Sequence, residues 1–578
     1  GPTISLGDCN KDGNDDLWIG ASFDHNGWES GTLSSQSETY LFIGDGNGAF
    51  SDFTLTSGLK QFNSTALSAS WVDYDNDGDL DLYQSNYGFY SRVIEDSNKS
   101  WKNQLFENNG DCVFTDVTET VGLGNSGYSS TSVWGDYDND GDLDLLSLNV
   151  GIIEQVFAIT SHQSDVFYHN FLAETGDAYF EDFTTEVGGI YALNNLPEDE
   201  DTIAIGPELS YKIKSAENPS ATASIIPNLR SLPKEIKDAG TGLSWAAVMV
   251  DFNNDSFDDI LIATDFGISP LYQNNQNGTF SLVTENAGID IVGTGMGIDV
   301  ADIDGDLDLD YCQSNYGPNY LFEQVSEMRF DQVGGLNGLS DGVSSRSVTW
   351  DCNFIDVDLD GDLDLWFAGG VINPYMAYSP NSIHLNDGKG TFYEAKPDQS
   401  DLFHPIGKTM GSVWSDFDSD GDLDVVIAES NTGLHYFENN AADNDEVKWV
   451  GLDIMQKSSD EEESRIANGA IVDVYFSGGK SIRQVVKIGS GYAGTKDTTI
   501  NIGIPIDENL EKVVVKWKDG TINEYSDLEL NQYHTLETIT NYAGLSNENS
   551  SSSVISSGSL IISVIIIFLI SRFIIKRD

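Results

Sequence analysis

A nine-residue acidic loop that recurs seven times is the feature that most constrains the fold of this chain. In the clearest copies, such as residues 136–144 (DYDNDGDLD), acids alternate with other residues around a glycine. So many carboxylates repel one another unless a cation lies among them, and oxygen ligands around a glycine turn suit Ca²⁺. The sequence therefore predicts Ca²⁺ as the cofactor, with up to seven ions. Acidic turns that bind no metal are the alternative.

The predicted metal ligands are the acids or amides at positions 1, 3, 5 and 9 of loops 1 to 7. They are Asp8, Asn10, Asp12 and Asp16; Asp73, Asp75, Asp77 and Asp81; Asp136, Asp138, Asp140 and Asp144; Asp251, Asn253, Asp255 and Asp259; Asp302, Asp304, Asp306 and Asp310; Asp356, Asp358, Asp360 and Asp364; and Asp416, Asp418, Asp420 and Asp424. Loops 4 and 5 carry Ser256 and Leu307 where the other loops have glycine. We therefore expect these two loops to bind metal less well, and loop 5 least.

The loops are not EF-hands. An EF-hand has a bidentate Glu at position 12 and a helix on each side, whereas position 12 here is occupied by residues such as Ser147 and Phe367. The flanking residues alternate between apolar and polar, as in 143–148 (LDLLSL), which is typical of strands. The pattern predicts calcium loops within β-hairpins.

The repeat is longer than the loop. A second signature, LFENNGDCVF at 105–114, returns in related form at 41–50, 271–280 and 383–392, and its Asn-Gly or Asp-Gly pairs predict further hairpins. Each unit is therefore predicted to contain four short strands, which make one propeller blade. The predicted fold class is all-β, with a seven-bladed β-propeller over residues 1–445; an array of β-sandwiches is the alternative. The strand that closes the ring is not assigned, and we expect a segment before residue 1.

Two further segments stand out beside the repeats. Residues 191–242 form an insertion rich in Pro, Glu, Ser and Lys within the long gap between loops 3 and 4. Such an insertion is either a recognition element or a tolerated surface excursion. Residues 446–540 alternate short strands with Gly-rich turns and predict a small β domain.

The end of the chain has the composition of a membrane anchor. Residues 541–558 are rich in serine and predict a flexible stalk, and 559–575 are strongly apolar and predict a transmembrane helix. Residues 576–578 include two basic residues, so the positive-inside rule places them in the cytoplasm and the rest outside. The predicted location is the cell surface.

Charge excludes one class of partner, and the cysteines leave the disulfide pairing open. The chain has 94 acidic and 28 basic residues, a net charge of −66, which excludes nucleic acid as a partner. Cys9, Cys112, Cys312 and Cys352 leave three disulfide pairings open. Calcium loops without a bidentate Glu are expected to be weak sites, which fill where calcium is near millimolar, outside cells.

The repeats resemble the VCBS/FG-GAP type, the calcium-loop propeller also found in integrin α subunits. Segments 448–452 (KWVGL), 467–472 (ANGAIV), 513–517 (VVVKW) and 531–533 (NQY) resemble the ASPIC/UnbV domain that follows such repeats in the cartilage acidic protein family and its microbial relatives. The resemblance implies metal ligands at positions 1, 3, 5 and 9, with a backbone carbonyl at position 7.

The sequence favours a binding protein over an enzyme. It contains no GxSxG, HExxH or CxxCH motif, and its histidines form no pair at ligand spacing. The predicted function is a calcium-stabilised, membrane-anchored extracellular adhesion or binding protein, whose partner is a protein or glycan. A calcium-dependent polysaccharide lyase, by analogy with similar propellers, and a structural subunit of an extracellular assembly are the alternatives.

Overall fold

The structure is a computed structural model of the 578-residue chain. It describes residues 2–21, 38–60, 66–87, 102–124, 127, 129–150, 152–154, 158–161, 164–190, 243–315, 317–339, 348–370, 380–395, 409–429, 433–444, 446–458, 463–489, 491–492 and 496–540. The insertion at 191–242, the stalk, the apolar segment 559–575 and the basic tail lie outside the described residues. No helix among the described residues is long and apolar enough to cross a membrane.

The described chain is almost entirely β-structure, as predicted. We number the repeats units 1 to 7 by the acidic loop that each contains. Unit 1 contains β1 (Pro2–Gly7), β2 (Asp16–Ala21), β3 (Tyr40–Gly44) and β4 (Phe50–Asp52); unit 2 contains β5 (Ala66–Val72), β6 (Asp81–Asn86), β7 (Gln104–Asn108) and β8 (Phe114–Asp116); unit 3 contains β9 (Ser129–Gly135), β10 (Asp144–Asn149), β11 (Ile152–Glu154), β12 (Ala158–Ser161), β13 (Val166–Asn170) and β14 (Phe180–Asp182).

The later units repeat this pattern. Unit 4 contains β15 (Leu243–Val250), β16 (Asp259–Ile268), β17 (Leu271–Asn274) and β18 (Phe280–Leu282); unit 5 contains β19 (Val292–Ala301), β20 (Asp310–Asn315), β21 (Tyr320–Ser326) and β22 (Arg329–Gln332); unit 6 contains β23 (Thr349–Ile355), β24 (Asp364–Gly369), β25 (Ser382–Asn386) and β26 (Phe392–Glu394); unit 7 contains β27 (Thr409–Ser415), β28 (Asp424–Glu429) and β29 (Gly433–Phe437). Short helices follow the fourth strand at Thr54–Ser57, Thr118–Val121 and Thr284–Ala287, and Leu172–Thr175 lies between β13 and β14.

Each acidic loop joins the first two strands of its unit. The residue before the loop pairs with the last acid of the loop, as Gly135 does with Asp144 and Ile355 with Asp364. The predicted hairpin position of the loops is therefore confirmed. Units 3 and 7 differ from the prediction of four strands. In unit 3, β11 and β12 form an additional two-stranded sheet, and the described residues of unit 7 supply three strands to its sheet.

The sheets pack side by side in a closed array. The first strand of each unit contacts the first strand of the next, and β27 of unit 7 contacts β1 of unit 1. Ile4 and Leu6 of β1 share one apolar cluster with Val413 and Val426 of unit 7. The sheets of units 4 and 5 are additionally joined edge to edge, because β16 pairs with β19.

Two disulfides resolve the pairing that the sequence leaves open. Cys9 in loop 1 is bonded to Cys112 in the β7–β8 hairpin, so this bridge ties unit 1 to unit 2. Cys312 on β20 is bonded to Cys352 on β23, which ties unit 5 to unit 6. Both bridges therefore hold neighbouring units together, and disulfides of this kind persist in oxidising surroundings.

The residues after unit 7 form two further sheets. The strands are β30 (Lys448–Ser458), β31 (Arg465–Ile466), β32 (Ile471–Phe476), β33 (Ser481–Val485), β34 (Ile500–Ile504), β35 (Leu510–Lys516), β36 (Ile522–Tyr525) and β37 (Tyr533–Thr540). One sheet joins β31, β30, β34 and β37, and the other has the order β33-β32-β35-β36. Val450, Val472 and Val515 of this domain share an apolar core with Ile303 and Leu363 of units 5 and 6. We call this part the C-terminal domain.

Candidate metal centres

The acidic loops share one backbone conformation. Positions 4 and 6 of every loop have positive φ, for example 57° at Asn139 and 104° at Gly141. Loop 5 keeps this shape although its glycine stands at position 4, because Leu307 adopts φ 68° at position 6; Ser256 of loop 4 adopts 73°. The missing glycines therefore leave the loop shape unchanged, at the cost of strain on two residues with a side chain. Lower metal affinity in loops 4 and 5 stays a prediction.

The first acid of each loop is held by the loop's own backbone. Asp136 accepts hydrogen bonds from the N–H groups of Asp140 and Gly141, both at 3.0 Å. In loop 4 the N–H of Ser256 donates to Asp251 at 2.7 Å. This acid therefore closes the turn through hydrogen bonds of the loop itself.

The last acid connects the loop to the rest of its unit. In loop 3, Asp144 accepts the N–H of Tyr137 at position 2 (3.3 Å) and the N–H of Asn170 at the end of β13, the third strand of the sheet of unit 3 (3.0 Å). The third-strand contact recurs in every unit, through Gly44, Asn108, Asn170, Asn274, Gln324, Asn386 and Asn439. Position 9 is thus a structural anchor as well as a predicted ligand.

An amide at the end of the third strand also links neighbouring units. The side chain of Asn274 in unit 4 donates to the carbonyl of Tyr137, at position 2 of loop 3, at 2.8 Å. Asn108, Asn170, Gln324, Asn386 and Asn439 make the equivalent contact to loops 1, 2, 4, 5 and 6. Unit 1 has Gly44 at this place, and the N–H of Gly48 donates to the carbonyl of Phe417 in loop 7 instead. The sequence analysis missed this role.

We expect Asn274→Ala to destabilise the protein by about 1 to 3 kcal/mol, because it leaves the buried carbonyl of Tyr137 without its donor. Urea unfolding measures the change. Asn275→Ala is the matched control, since its amide contacts Thr279 in an exposed turn, and it should change the free energy of unfolding by less than about 0.5 kcal/mol. Equal effects of the two variants would contradict the inter-unit role.

The donor sets fit a hard divalent cation. In loops 2 and 3 the acids at positions 1, 3 and 9 each place one oxygen within 4.8 Å of the other two. Buried carboxylate oxygens of Asp73, Asp75, Asp138 and Asp418 have no hydrogen-bond partner. Buried polar atoms without a partner are costly, and a cation at this point would satisfy them. The two loops thus hold the oxygen ligands that Ca²⁺ prefers.

Burial makes these acids difficult to ionise together. It is the main cause that raises the pKa of Asp73 to about 7 and that of Asp75 to about 6. In loop 3, burial and then the charge of Asp144 raise the pKa of Asp138 to about 9. Because the folded pKa values lie above those of an unfolded chain, these groups stabilise the metal-free fold at low pH and lose that contribution as pH rises through 6 to 9. A cation would offset this loss at neutral pH.

The C-terminal domain covers the loop end of the array. Among the described residues, hydrogen bonds or ion pairs join it to loops 1, 3, 4, 5, 6 and 7. The pairs are Glu463 with Lys11, Arg465 with the Gly141 carbonyl, Arg483 with Asn254, Ser481 with the Gly305 carbonyl, Gly503 with Asp356, and Tyr533 with Asp416. In loop 2, Glu463 lies against Gly78. The loops therefore lie at a domain interface.

One side chain of this domain enters the centre of the array. Tyr492 is 3% exposed and packs with Trp245 of unit 4 and Trp350 of unit 6, at ring-centroid distances of 5.7 and 5.2 Å. The same cluster contains apolar residues from units 2 to 7. Nearby, Lys487 and Lys496 both pair with the buried Asp299 of unit 5 at 3.1 Å. The C-terminal domain is thus held on the array by the buried ring of Tyr492, which we call the plug, and by the ion pairs of Asp299.

A cavity of about 550 Å³ remains between loops 1 and 7 and the C-terminal domain. Asp15, Ser415, Asp453 and Asp497 line it, and Oγ of Ser415 lies within hydrogen-bond distance of Asp15 (2.5 Å) and Asp497 (3.2 Å). Burial raises the pKa of Asp15 to about 7. No histidine or cysteine lies among the described residues that line this cavity.

Comparison with protein families and known proteins identifies both parts of the chain. The FG-GAP-like repeat matches residues 8–83, 93–147, 251–313 and 356–427, and ASPIC and UnbV matches residues 460–542. Cartilage acidic protein 1 of Mus musculus is 27% identical over 294 residues, which cover 49% of this chain and 42% of that protein. The match thus spans less than half of the length of this curated relative.

Solved structures of low similarity were also found. A lectin of Agrocybe aegerita that recognises non-reducing terminal N-acetylglucosamine has a TM-score of 0.38 and 15% identity, covering 69% of this chain and 81% of the lectin. The rhamnogalacturonan lyase of Bacillus licheniformis has a TM-score of 0.36 and 9% identity, covering 76% and 72%. At these scores the similarities carry no argument about function.

Proposed function

We infer that this chain, which belongs to the family that joins FG-GAP-like repeats to an ASPIC and UnbV domain, is a calcium-stabilised extracellular binding protein without catalytic activity. The observation that carries the calcium proposal is the set of buried carboxylate oxygens without a partner in loops 2, 3 and 7. Ca²⁺ would supply charge neutralisation and fix the loop oxygens, while the first and last acids of each loop already hold the backbone in shape.

We propose that the closed array is a seven-bladed propeller. Contacts between the first strands of successive units and the return contact of β27 with β1 support this geometry. The hydrogen bond from Gly48 to Phe417 supports closure between units 7 and 1. In this geometry calcium would stabilise the ring at the contact of each unit with its neighbour, because the loop accepts the neighbour's amide.

We place recognition on the face opposite the acidic loops. The C-terminal domain covers the loop face, so a macromolecular partner reaches the other end of the first strands more easily. The described chain resumes after residue 242 at Leu243, which begins β15 at the end remote from loop 4. This position favours the insertion 191–242 as the recognition element, and its acids Glu198, Asp199, Glu200 and Asp201 favour a cationic or calcium-bridged protein or glycan.

We propose a cell-surface location for this binding protein. The two disulfides favour an oxidising exterior, and weak calcium sites fill there. The apolar sequence of 559–575 supports a single-pass anchor, with the propeller and the C-terminal domain outside the cell.

A binding screen against glycans and extracellular proteins, with calcium and with EDTA, tests the proposed function. We expect calcium-dependent binding by the full chain. Deletion of residues 195–238, replaced by a short Gly-Ser linker, should abolish this binding and leave the calcium-dependent melting transition intact. Normal binding by the deletion variant would place recognition elsewhere. Release of unsaturated uronate products from a polysaccharide would contradict the non-catalytic role.

A further inference from the structure

Loop 3 differs from loop 2 in the surroundings of its position 7 acid. Asp142 is 1% exposed, and its Oδ2 accepts the N–H of Ala173 at 2.8 Å. Its Oδ1 has no hydrogen-bond partner, and no described lysine or arginine pairs with it. At the same position of loop 2, Asp79 has a side chain that is 25% exposed and pairs with Lys11 at 2.8 Å. A buried carboxylate oxygen without a partner is present in loop 3 and absent from this place in loop 2.

The segment after the third strand of unit 3 brings two more metal-binding groups to this place. The helix Leu172–Thr175 carries Glu174, and β13 carries His169, whose side chain is 4% exposed. The His169 ring lies between two acids, with Nδ1 3.0 Å from Asp144 Oδ1 and Nε2 3.2 Å from Glu174 Oε1. His169 therefore links the last acid of the loop to Glu174 and holds both carboxylates in position.

We propose that unit 3 holds a second divalent cation, bound by the carboxylates of Asp140, Asp142 and Glu174. One oxygen of each lies within 4.8 Å of the other two. Asp140 is also a predicted ligand of the loop 3 calcium, so its carboxylate would bridge the two ions. Three carboxylates form a hard oxygen site, and the cation class is therefore Ca²⁺ or another hard divalent ion. This inference rests on the proposed calcium binding of loop 3.

Asp422 of loop 7 also accepts a backbone N–H at 2.8 Å and has an Oδ1 without a partner. Glu174 and His169 are therefore what distinguish unit 3 as a second site. A bridged pair of cations would satisfy Oδ1 of Asp142, which a single ion at positions 1, 3, 5 and 9 leaves without a partner. It would also tie loop 3 to the helix Leu172–Thr175, which directly precedes the last strand of unit 3.

Metal content measured by mass spectrometry, after equilibrium dialysis of the full chain against millimolar Ca²⁺, tests the second site. We expect Glu174→Gln and Asp142→Asn each to bind about one Ca²⁺ fewer per chain than the unsubstituted protein. Asp79→Asn, the position 7 control in loop 2, should keep the full count. Glu174 has a side chain that is 46% exposed, so its substitution leaves the core intact.

The possible outcomes separate this inference from the proposed function. An unsubstituted chain that binds no Ca²⁺ would overturn both. If the unsubstituted chain binds Ca²⁺ and both Glu174→Gln and Asp142→Asn bind the same number of ions, the second site is overturned. The proposed calcium binding of the acidic loops is then unaffected. Loss of one ion in Asp79→Asn as well would show that any position 7 acid has this effect, and would also overturn a site specific to unit 3.

Discussion

Chelation by EDTA is expected to lower the thermal unfolding midpoint by on the order of 10 °C or more. Each filled site stabilises the folded chain by about 1.4 kcal/mol when free calcium is about 10 times the dissociation constant, as for a weak site in millimolar calcium. Several such sites together reach the usual net stability of a domain, about 5 to 15 kcal/mol. The buried acids add to the effect, because removal of the ion leaves their mutual repulsion uncompensated at neutral pH.

Calorimetry or circular dichroism in millimolar calcium, in EDTA, and after calcium is restored measures this effect. The midpoint should fall in EDTA and return on addition of excess calcium, which separates chelation from irreversible damage. The difference between the two conditions should be smaller near pH 5 than near pH 8, because protonation relieves the repulsion among acids such as Asp73, whose pKa is raised to about 7. The same midpoint in all three conditions would contradict calcium stabilisation.

Tyr492→Ala is expected to cost about 3 to 5 kcal/mol of unfolding free energy, since it removes a fully packed aromatic ring from the centre of the array. The ring contacts Trp245 and Trp350, and the cavity left behind lies between two domains. The variant should therefore also expose the C-terminal domain to limited proteolysis. Urea unfolding and proteolysis measure the two effects.

Tyr393→Ala is the matched control for the plug, because Tyr393 is 61% exposed on β26. It should change stability by less than about 0.5 kcal/mol and leave proteolysis unaltered. If Tyr492→Ala behaved like this control, the plug would not hold the C-terminal domain on the array.

The loops and their hairpins could be predicted because their signal is local. Alternating acids around a turn, with apolar strands on both sides, determine both the element type and its register, as the pairing of Gly135 with Asp144 confirms. The positive φ of Leu307 could not be foreseen, because leucine rarely adopts it and only the surrounding loop imposes it.

Contacts between residues that lie far apart in the chain could not be predicted from the sequence. Asn274 bonds to Tyr137, which lies 137 residues earlier, and the signature at 271–280 that contains Asn274 was already explained by its hairpin turn. The disulfide partner of Cys9 depended on the packing of unit 1 against unit 2. The role of His169 was missed for the same reason, since its acidic partner Asp144 lies on a neighbouring strand, 25 residues away.

For the C-terminal domain, the sequence predicted the secondary structure and not the position on the array. Its β character follows from alternating residues and Gly-rich turns. Its position over the acidic loops does not, because single residues such as Arg483 and Gly503 make the contacts. The proposed recognition surface therefore excludes the loop face, since a loop face covered by a domain is not free for a partner.

A crystal structure of the full chain grown in millimolar calcium, with an anomalous difference map, tests the central claim most directly. Calcium binding predicts a peak in the acidic loops, surrounded by oxygens of positions 1, 3, 5 and 9 at about 2.3 to 2.6 Å. In loop 3 these ligands are Asp136, Asp138, Asp140 and Asp144. Ordered acidic loops without such a peak, in crystals that contain calcium, would contradict it.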